Sequence, residues 1–267
     1  FEKQLGVYFR DEDDRIEESE NFTLNALDHY RISNELLHLE EAKFNDYFAK
    51  QRVKGIMPRG EFAEVCAQSI RADVLAFKEK IKDYSSPHSE SVDFVVETAQ
   101  GNIRLFGYME PLFGDENQII EWRFAKYKDR YRIRPWLYYL IQLVTKENAL
   151  PPRIIAKDKD LTLKTIEKST ALEKLKMYVE AYLQSQQQIQ LIPTENIAKF
   201  IEKDENAVNF DNVLTNIESL ANDDNYGYRK ADPYWARVLG QTEQLRSEKG
   251  LLQLVKQTTS WFGEMLS

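Results

Sequence analysis

The segments NIRLFGYME (Asn102–Glu110), IIEWRF (Ile119–Phe124), PWLYYLIQLVTK (Pro135–Lys146) and RIIA (Arg153–Ala156) decide the fold class. The first two are short, rich in β-branched and aromatic residues and separated by a turn at Gly114-Asp115, so they predict paired strands. The third is long enough for a helix, and the fourth reads as a further strand. Strand, strand, crossover helix and strand make an α/β unit. Side-chain direction in a strand repeats every two residues, so Tyr108 shares a face with Glu110, and Glu121 with Arg123. Pairing these strands would bring Glu110 and Glu121 together. Glu64, one turn beyond Gly60 on the preceding helix, is a candidate third acid. Mg²⁺ favours oxygen ligands and retains water, so two well-placed carboxylates suffice for a site. The competing reading is structural: Arg123 neutralises Glu121 or Glu110 as an ordinary ion pair.

Working toward the N-terminus, Leu24, Leu27, Ile32, Leu36 and Leu37 form a helical stripe, and Phe44, Tyr47 and Phe48 start a second helix ending near Gly55. Pro58-Arg59-Gly60 breaks the chain before a long amphipathic helix with Phe62, Val65, Cys66, Ile70, Val74, Phe77 and Ile81 near one face. Ser91–Thr98 is a strand ahead of the two already named. The chain opens on a strand-like LGVYF, followed by the acidic connector Asp11–Glu20. Beyond Lys168 helices dominate, at Lys174–Gln187, Thr194–Lys203, Asp211–Leu220 and from Thr242 to Leu266. Asp232-Pro233 is a helix start, with Asp as the cap and Pro in the first position.

At 267 residues the chain is long enough for one large core or two modest ones. A hydrophobic content of 42% with 12% aromatics supports a packed globule, whereas the 30% charged residues and mean hydropathy of -0.57 argue against a membrane protein. Its longest apolar stretch, Pro135–Val144, falls short of the roughly 18 residues of a spanning helix, and Phe1–Arg10 does not read as a signal peptide. The single cysteine, Cys66, excludes an internal disulfide and fits a reducing compartment; the expected location is cytoplasmic. Because the sequence opens on Phe1 in the middle of a strand-like run, it reads as part of a longer protein.

A net charge of -8 gives no broad attraction to DNA, so any nucleic-acid contact must be local. WRFAKYKDRYRIRPW, Trp122–Trp136, supplies such a surface: Arg123, Lys126, Lys128, Arg130, Arg132 and Arg134 alternate with aromatic rings. Cations of this kind hold phosphates while rings stack on bases; the alternative is a solvated helix start whose rings pack inward. Lys157, Lys159, Lys164 and Lys168 form a looser cluster broken by Asp158 and Asp160. His29, His38 and His88 lack metal-ligand spacing, and no GxxxxGK[ST] or GxSxG motif is present.

The hairpin resembles the restriction-endonuclease-like, PD-(D/E)xK, nucleases. There an acid on one strand and an Asp/Glu-x-Lys triplet on the next hold Mg²⁺ and orient water. Here Glu110 and Glu121 remain and Arg123 stands at the lysine position; a guanidinium is broader than an ammonium and stays protonated. The chain as a whole resembles the C-terminal domain of RecC, the gamma subunit of exodeoxyribonuclease V. The resemblance is carried in order by VYFRDEDDRIEESENFTLNALDHYRISNELL (7–37), MPRGEFAEV (57–65), PWLYYLIQL (135–143), YVEAYLQSQQQIQLIPTENIAKFIE (178–202) and DPYWARVL (232–239).

That resemblance implies one family domain over 1–267 with a degenerate nuclease-like core at 56–165 and a mainly helical part at 168–267. Glu64, Glu110 and Glu121 match the metal-facing positions of the pattern and Arg123 its lysine, in a domain regarded as having lost cleavage and needing no cofactor. The implied role is guiding or splitting DNA and docking RecB and RecD in the RecBCD machine of double-strand-break repair and homologous recombination. Two alternatives stand beside it: a residual Mg²⁺- or Mn²⁺-dependent nuclease using the three glutamates, and a docking scaffold that never touches DNA.

Overall fold

The computed structural model describes residues 24–84, 86–114, 118–222, 232–241 and 243–266. The expected LGVYF strand, the acidic connector Asp11–Glu20, the turn residue Asp115 and the helix start at Thr242 lie outside these residues. The chain divides into two compact units, residues 1–82 and 83–267. The expected 56–165 core runs across that division. Among the described residues no helix is long and apolar enough to cross a membrane.

The described residues of the first unit are helical. α1 (Ala26–Leu37) starts where Asn25 caps the Asp28 amide, and α2 (Phe44–Val53) precedes Gly55, whose φ of 72° suits only glycine without strain. α3 (Glu61–Ile81) follows Gly60. Its buried stripe is Ala63, Ala67, Ile70, Val74, Phe77 and Ile81, alternating four and three residues apart. That spacing corrects the expected face: Phe62 and Val65 lie off the stripe and are 58% and 66% exposed. α3 packs against α1 in particular; Ile32, Leu36, Phe44 and Phe48 complete this core.

The second unit is mixed α/β around a five-stranded sheet of order β1-β2-β3-β4-β5. Strands β1 (His88–Thr98), β2 (Gly101–Gly114) and β3 (Gln118–Arg123) are antiparallel neighbours. α4 (Ile133–Thr145) then crosses over so that β4 (Leu150–Ala156) runs parallel to β3, and β5 (Asp160–Thr162) pairs antiparallel to β4. The parallel β3–β4 pair explains why Ile119, Ile120, Ile154 and Ile155 are all buried, since a helix-covered strand must be apolar on both faces.

The remaining helices are α5 (Lys168–Ser185), α6 (Phe210–Ala221), α7 (Pro233–Gln241) and α8 (Glu248–Leu266). Asp232 caps α7 as expected, its Oδ1 accepting from the amides of Tyr234 and Trp235 at 2.9 and 3.2 Å. The helix expected over Thr194–Lys203 shrinks to a 3-10 turn, Ile197–Phe200. Asn196 before it is left-handed, with φ 53°, and stops an α-helix from running through. Trp136, Tyr139 and Leu140 of α4, Ile154 of β4, Leu175 of α5 and Phe262 of α8 form the main core. Within it Trp136 Nε1 donates to Tyr178 Oη at 3.1 Å, and Tyr178 donates in turn to the Trp261 carbonyl. Burial pushes the Tyr178 phenol well above its usual range.

The β2–β3 connection is set by Gly114, with φ 101°; a Cβ there would lie 2.2 Å from the Gln118 carbonyl oxygen and 2.8 Å from Ile120 Cγ1. Gly114→Ala combines a backbone penalty with a clash against main chain, so it is expected to destabilise the protein by roughly 2–4 kcal/mol. Urea denaturation checks this.

Candidate nucleic-acid interface

Glu121 occupies the middle of β3, paired in register with Ile154 of β4, and is only 3% exposed. A carboxylate buried there must be satisfied by donors. Arg123, two residues along the same strand face, donates Nε to Oε1 at 2.8 Å. Arg134, in the first turn of α4, donates Nε and Nη2 to Oε2 at 3.1 and 2.5 Å. Three N–H groups thus engage one carboxylate, and the cluster of one acid and two guanidiniums carries a local charge of +1. A cation in a helix's first turn opposes the helix dipole, so Arg134 is placed there against local preference and is compensated by Glu121.

The other two sequence-predicted acids have different surroundings. Glu110 is exposed on β2; the antiparallel β2–β3 ladder pairs Phe113 with Ile120 and Gly114 with Ile119 and stops short of it. Glu64 belongs to the first unit, where it accepts from Arg52 Nη2 at 2.8 Å and Gln68 Nε2 at 3.3 Å. Those hydrogen bonds, the one from Arg52 foremost, hold its carboxyl below the usual range. Among the described residues no group of three or more His, Cys, Asp or Glu side chains gathers in a way that could hold a metal ion.

The predicted basic segment leaves β3 as a loop, Phe124–Lys128, and a 3-10 turn, Asp129–Arg132. Phe124 is buried, Tyr127 and Tyr131 are partly buried, and cations lie around these rings. Lys157 Nζ lies 4.5 Å from the Phe124 ring centre and Lys159 Nζ 4.4 Å from that of Tyr127; Arg132 Cζ is 5.6 Å from the Tyr127 ring on the same measure. Tyr131 has Arg123 Cζ at 5.8 Å and Arg130 Cζ at 5.9 Å. Such contacts hold cations at a surface without neutralising them. Backbone bonds fasten the loop to the β4–β5 turn: Lys157 N donates to the Ala125 carbonyl at 3.0 Å and Tyr127 N to Asp158 Oδ1 at 2.7 Å.

The six predicted cations therefore divide by what they touch. Arg123 and Arg134 engage Glu121, while Arg132 donates to Tyr127 Oη and, at 3.0 Å, to the Met265 carbonyl. Arg130 and Lys128 face Glu195, Lys128 at 4.0 Å. Lys126 is exposed and makes no salt bridge with a described residue. The structure adds Lys157 and Lys159 to the same surface. Their sequence cluster is separated from the first by α4 and β4, so only the parallel crossover brings them together. Glu195 was missed altogether, because no local spacing links it to Arg130, 65 positions earlier.

The two acids of the hairpin should respond oppositely to truncation. Glu121→Ala removes the partner of two guanidiniums and is expected to cost roughly 2–4 kcal/mol, whereas Glu110→Ala at an exposed position should stay within about 0.5 kcal/mol of the parent. Denaturation midpoints of the two variants measure the difference.

Comparison with known proteins places this geometry in a family. The RecC C-terminal domain family matches residues 1–205. A curated relative named RecBCD enzyme subunit RecC, from Haemophilus influenzae, is 53% identical over 268 aligned residues, covering 98% of this chain and 23% of the relative. The protein of the same name from Escherichia coli K12 is 23% identical over 184 residues, covering 68% of this chain and 16% of that protein. The chain thus spans about a quarter or less of the length of the curated relatives it matches. With a family match over most of its residues and more than half of them shared with a RecC subunit, the chain belongs to the RecC C-terminal domain family.

Proposed function

We propose that this chain is the non-catalytic, degenerate nuclease-like domain of a RecC subunit. In this reading it guides or splits DNA and docks RecB and RecD within a cytoplasmic RecBCD helicase and nuclease serving double-strand-break repair and homologous recombination. The observation that carries the non-catalytic part is the engagement of Glu121 by Arg123 and Arg134. A divalent ion approaching this carboxylate would meet a cluster already at +1, and its entry would require displacing charge-assisted hydrogen bonds. These residues therefore do not fit Mg²⁺, and no catalytic step is assigned to Glu64, Glu110, Glu121 or Arg123. The nuclease-like ancestry is supported by the order of strand meander, crossover helix and parallel strand, with an acid-x-Arg triplet on β3 where the nuclease pattern has acid-x-Lys.

The guiding part is supported by the basic-aromatic surface. In a chain with net charge -8, Lys126, Lys128, Arg130, Lys157 and Lys159 converge on one loop system whose rings and backbone bonds fix its shape. A stiff array of cations binds a phosphate backbone irrespective of sequence, which suits a guide rather than a reader.

Replacing Lys126, Lys157 and Lys159 together with alanine is expected to weaken binding to forked DNA and to lower the log–log salt slope by about 2–3. Binding that is unchanged across a salt series would sink the DNA-contact reading. With Mg²⁺ or Mn²⁺ supplied, the protein should leave the same DNA uncut; cleavage that disappears in Glu121→Ala would favour the residual nuclease instead.

A further inference from the structure

Beside the basic loop is a cavity of about 380 Å³ whose walls include Lys128, Arg130, Glu195, Asn196, Tyr234 and Trp235. Such a volume lies at the small end of ligand pockets, roughly 300–1,000 Å³, and admits one nucleobase with its sugar but not a stacked pair. Three observations bear on what it takes. Its cations are aimed: Asp129, between Lys128 and Arg130 in sequence, turns away to accept from the Ala198 amide at 3.2 Å and from Tyr127 Oη at 3.1 Å, so both cations are free of it. Its wall is aromatic, with Tyr234 and Trp235 at the start of α7. The amides of that helix end are already taken by Asp232, so the helix terminus itself is not the anion site.

Glu195 is the third observation. Its carboxylate bridges the two cations, Oε1 accepting from Arg130 and Oε2 lying 4.0 Å from Lys128. Both cations and the carboxylate remain 37–50% exposed, so solvent screening leaves this a weak clasp. One carboxylate between two cations occupies the position that a backbone phosphate would take, and a phosphate makes stronger, charge-assisted contacts with a guanidinium.

We propose that this cavity is a capture site for single-stranded nucleic acid: one unstacked base enters against Tyr234 and Trp235, its phosphate takes Arg130 and Lys128, and Glu195 is the internal competitor that the phosphate displaces. The inference rests on the nucleic-acid reading above and specifies it. A duplex is excluded by the same geometry, because only an unpaired base exposes a ring face to stack. Glu195 sets a threshold: a strand must outcompete it, so weak anions do not occupy the site.

The test uses the full-length protein and a fluorescently labelled oligothymidylate, followed by anisotropy over a salt series. Glu195→Gln is expected to tighten binding by roughly threefold or more at low salt and to steepen the log–log salt slope by about 0.7 per phosphate gained. Glu173→Gln, the same charge change at an exposed position on α5, should do neither. Trp235→Ala should weaken binding by about tenfold. Trp235 also packs against the helical core, so Trp235→Phe, which keeps a ring and the fold, should retain most of the affinity. If Glu195→Gln matches Glu173→Gln, the cavity is not the strand site, and the guiding role stands or falls on the lysine variants alone. If the parent protein binds no single strand at any salt, both readings fail. If Glu195→Gln instead gains affinity for polyglutamate and not for the oligonucleotide, the occupant is an acidic protein segment and the inference is overturned.

Discussion

One buried carboxylate organises the second unit. Glu121 stands in β3 between Ile120 and Trp122 and opposite Ile154 of β4, and its burial is tolerated because Arg123 and Arg134 supply three N–H donors. Arg134 comes from α4, the helix that carries the chain from β3 to its parallel partner β4. The ion cluster therefore does more than satisfy an acid: it fixes how the crossover helix begins relative to the strand it leaves. The first turn of α4 precedes Trp136, Tyr139 and Leu140, the centre of the main core. A buried carboxylate held by half-exposed guanidiniums contributes little net stability against an apolar replacement, but it is costly to leave without its donors. Its value here is in specifying a single arrangement of β3 and α4.

The basic loop inherits its shape from that arrangement. It runs from Arg123 to Arg132, the stretch between the strand and the helix that Glu121 ties together, so both of its ends are fixed. Three acids then set its course: Asp158 receives the Tyr127 amide, Asp129 receives the Ala198 amide, and Glu195 faces Arg130 and Lys128. Each of these carboxylates is directed at a backbone amide or at named cations, which leaves Lys126 exposed and Lys157 and Lys159 lying over aromatic rings. The loop is a surface of cations whose ordering carboxylates range from the half-buried Asp129 and Glu195 to the exposed Asp158.

Much of this was legible in the sequence where the information is local. The strands of the β2–β3 hairpin, the crossover helix at Pro135–Lys146 and the Asp232-Pro233 cap follow from periodicity, turn residues and capping chemistry, and each is observed within a few residues. The α3 face was misread because Phe62 and Val65 are large and apolar while Ala63 and Ala67 are small. Size drew the stripe to the wrong positions, whereas close helix packing selected the alanines. The Thr194–Lys203 helix failed for a backbone reason, the left-handed Asn196, which composition does not reveal. The candidate site was half visible. Arg123 beside Glu121 is a two-residue relation within one strand, so the sequence suggests their pairing; Arg134 to Glu121 and Arg130 to Glu195 exist only through the fold.

The charge balance gives these long-range pairs their functional weight. A chain of net charge -8 repels a polyanion at a distance, but at physiological salt that repulsion is screened beyond about 8 Å. Inside that range, what an anion meets depends on where the fold holds each cation. The fold engages Arg123, Arg132 and Arg134 with Glu121, Tyr127 and the Met265 carbonyl, and it brings Lys157 and Lys159 in from the β4–β5 turn. The number of basic residues in Trp122–Trp136 therefore misstates the surface in both directions. The fold therefore decides which cations surround the loop, and it does so through pairs that no local spacing in the sequence reveals.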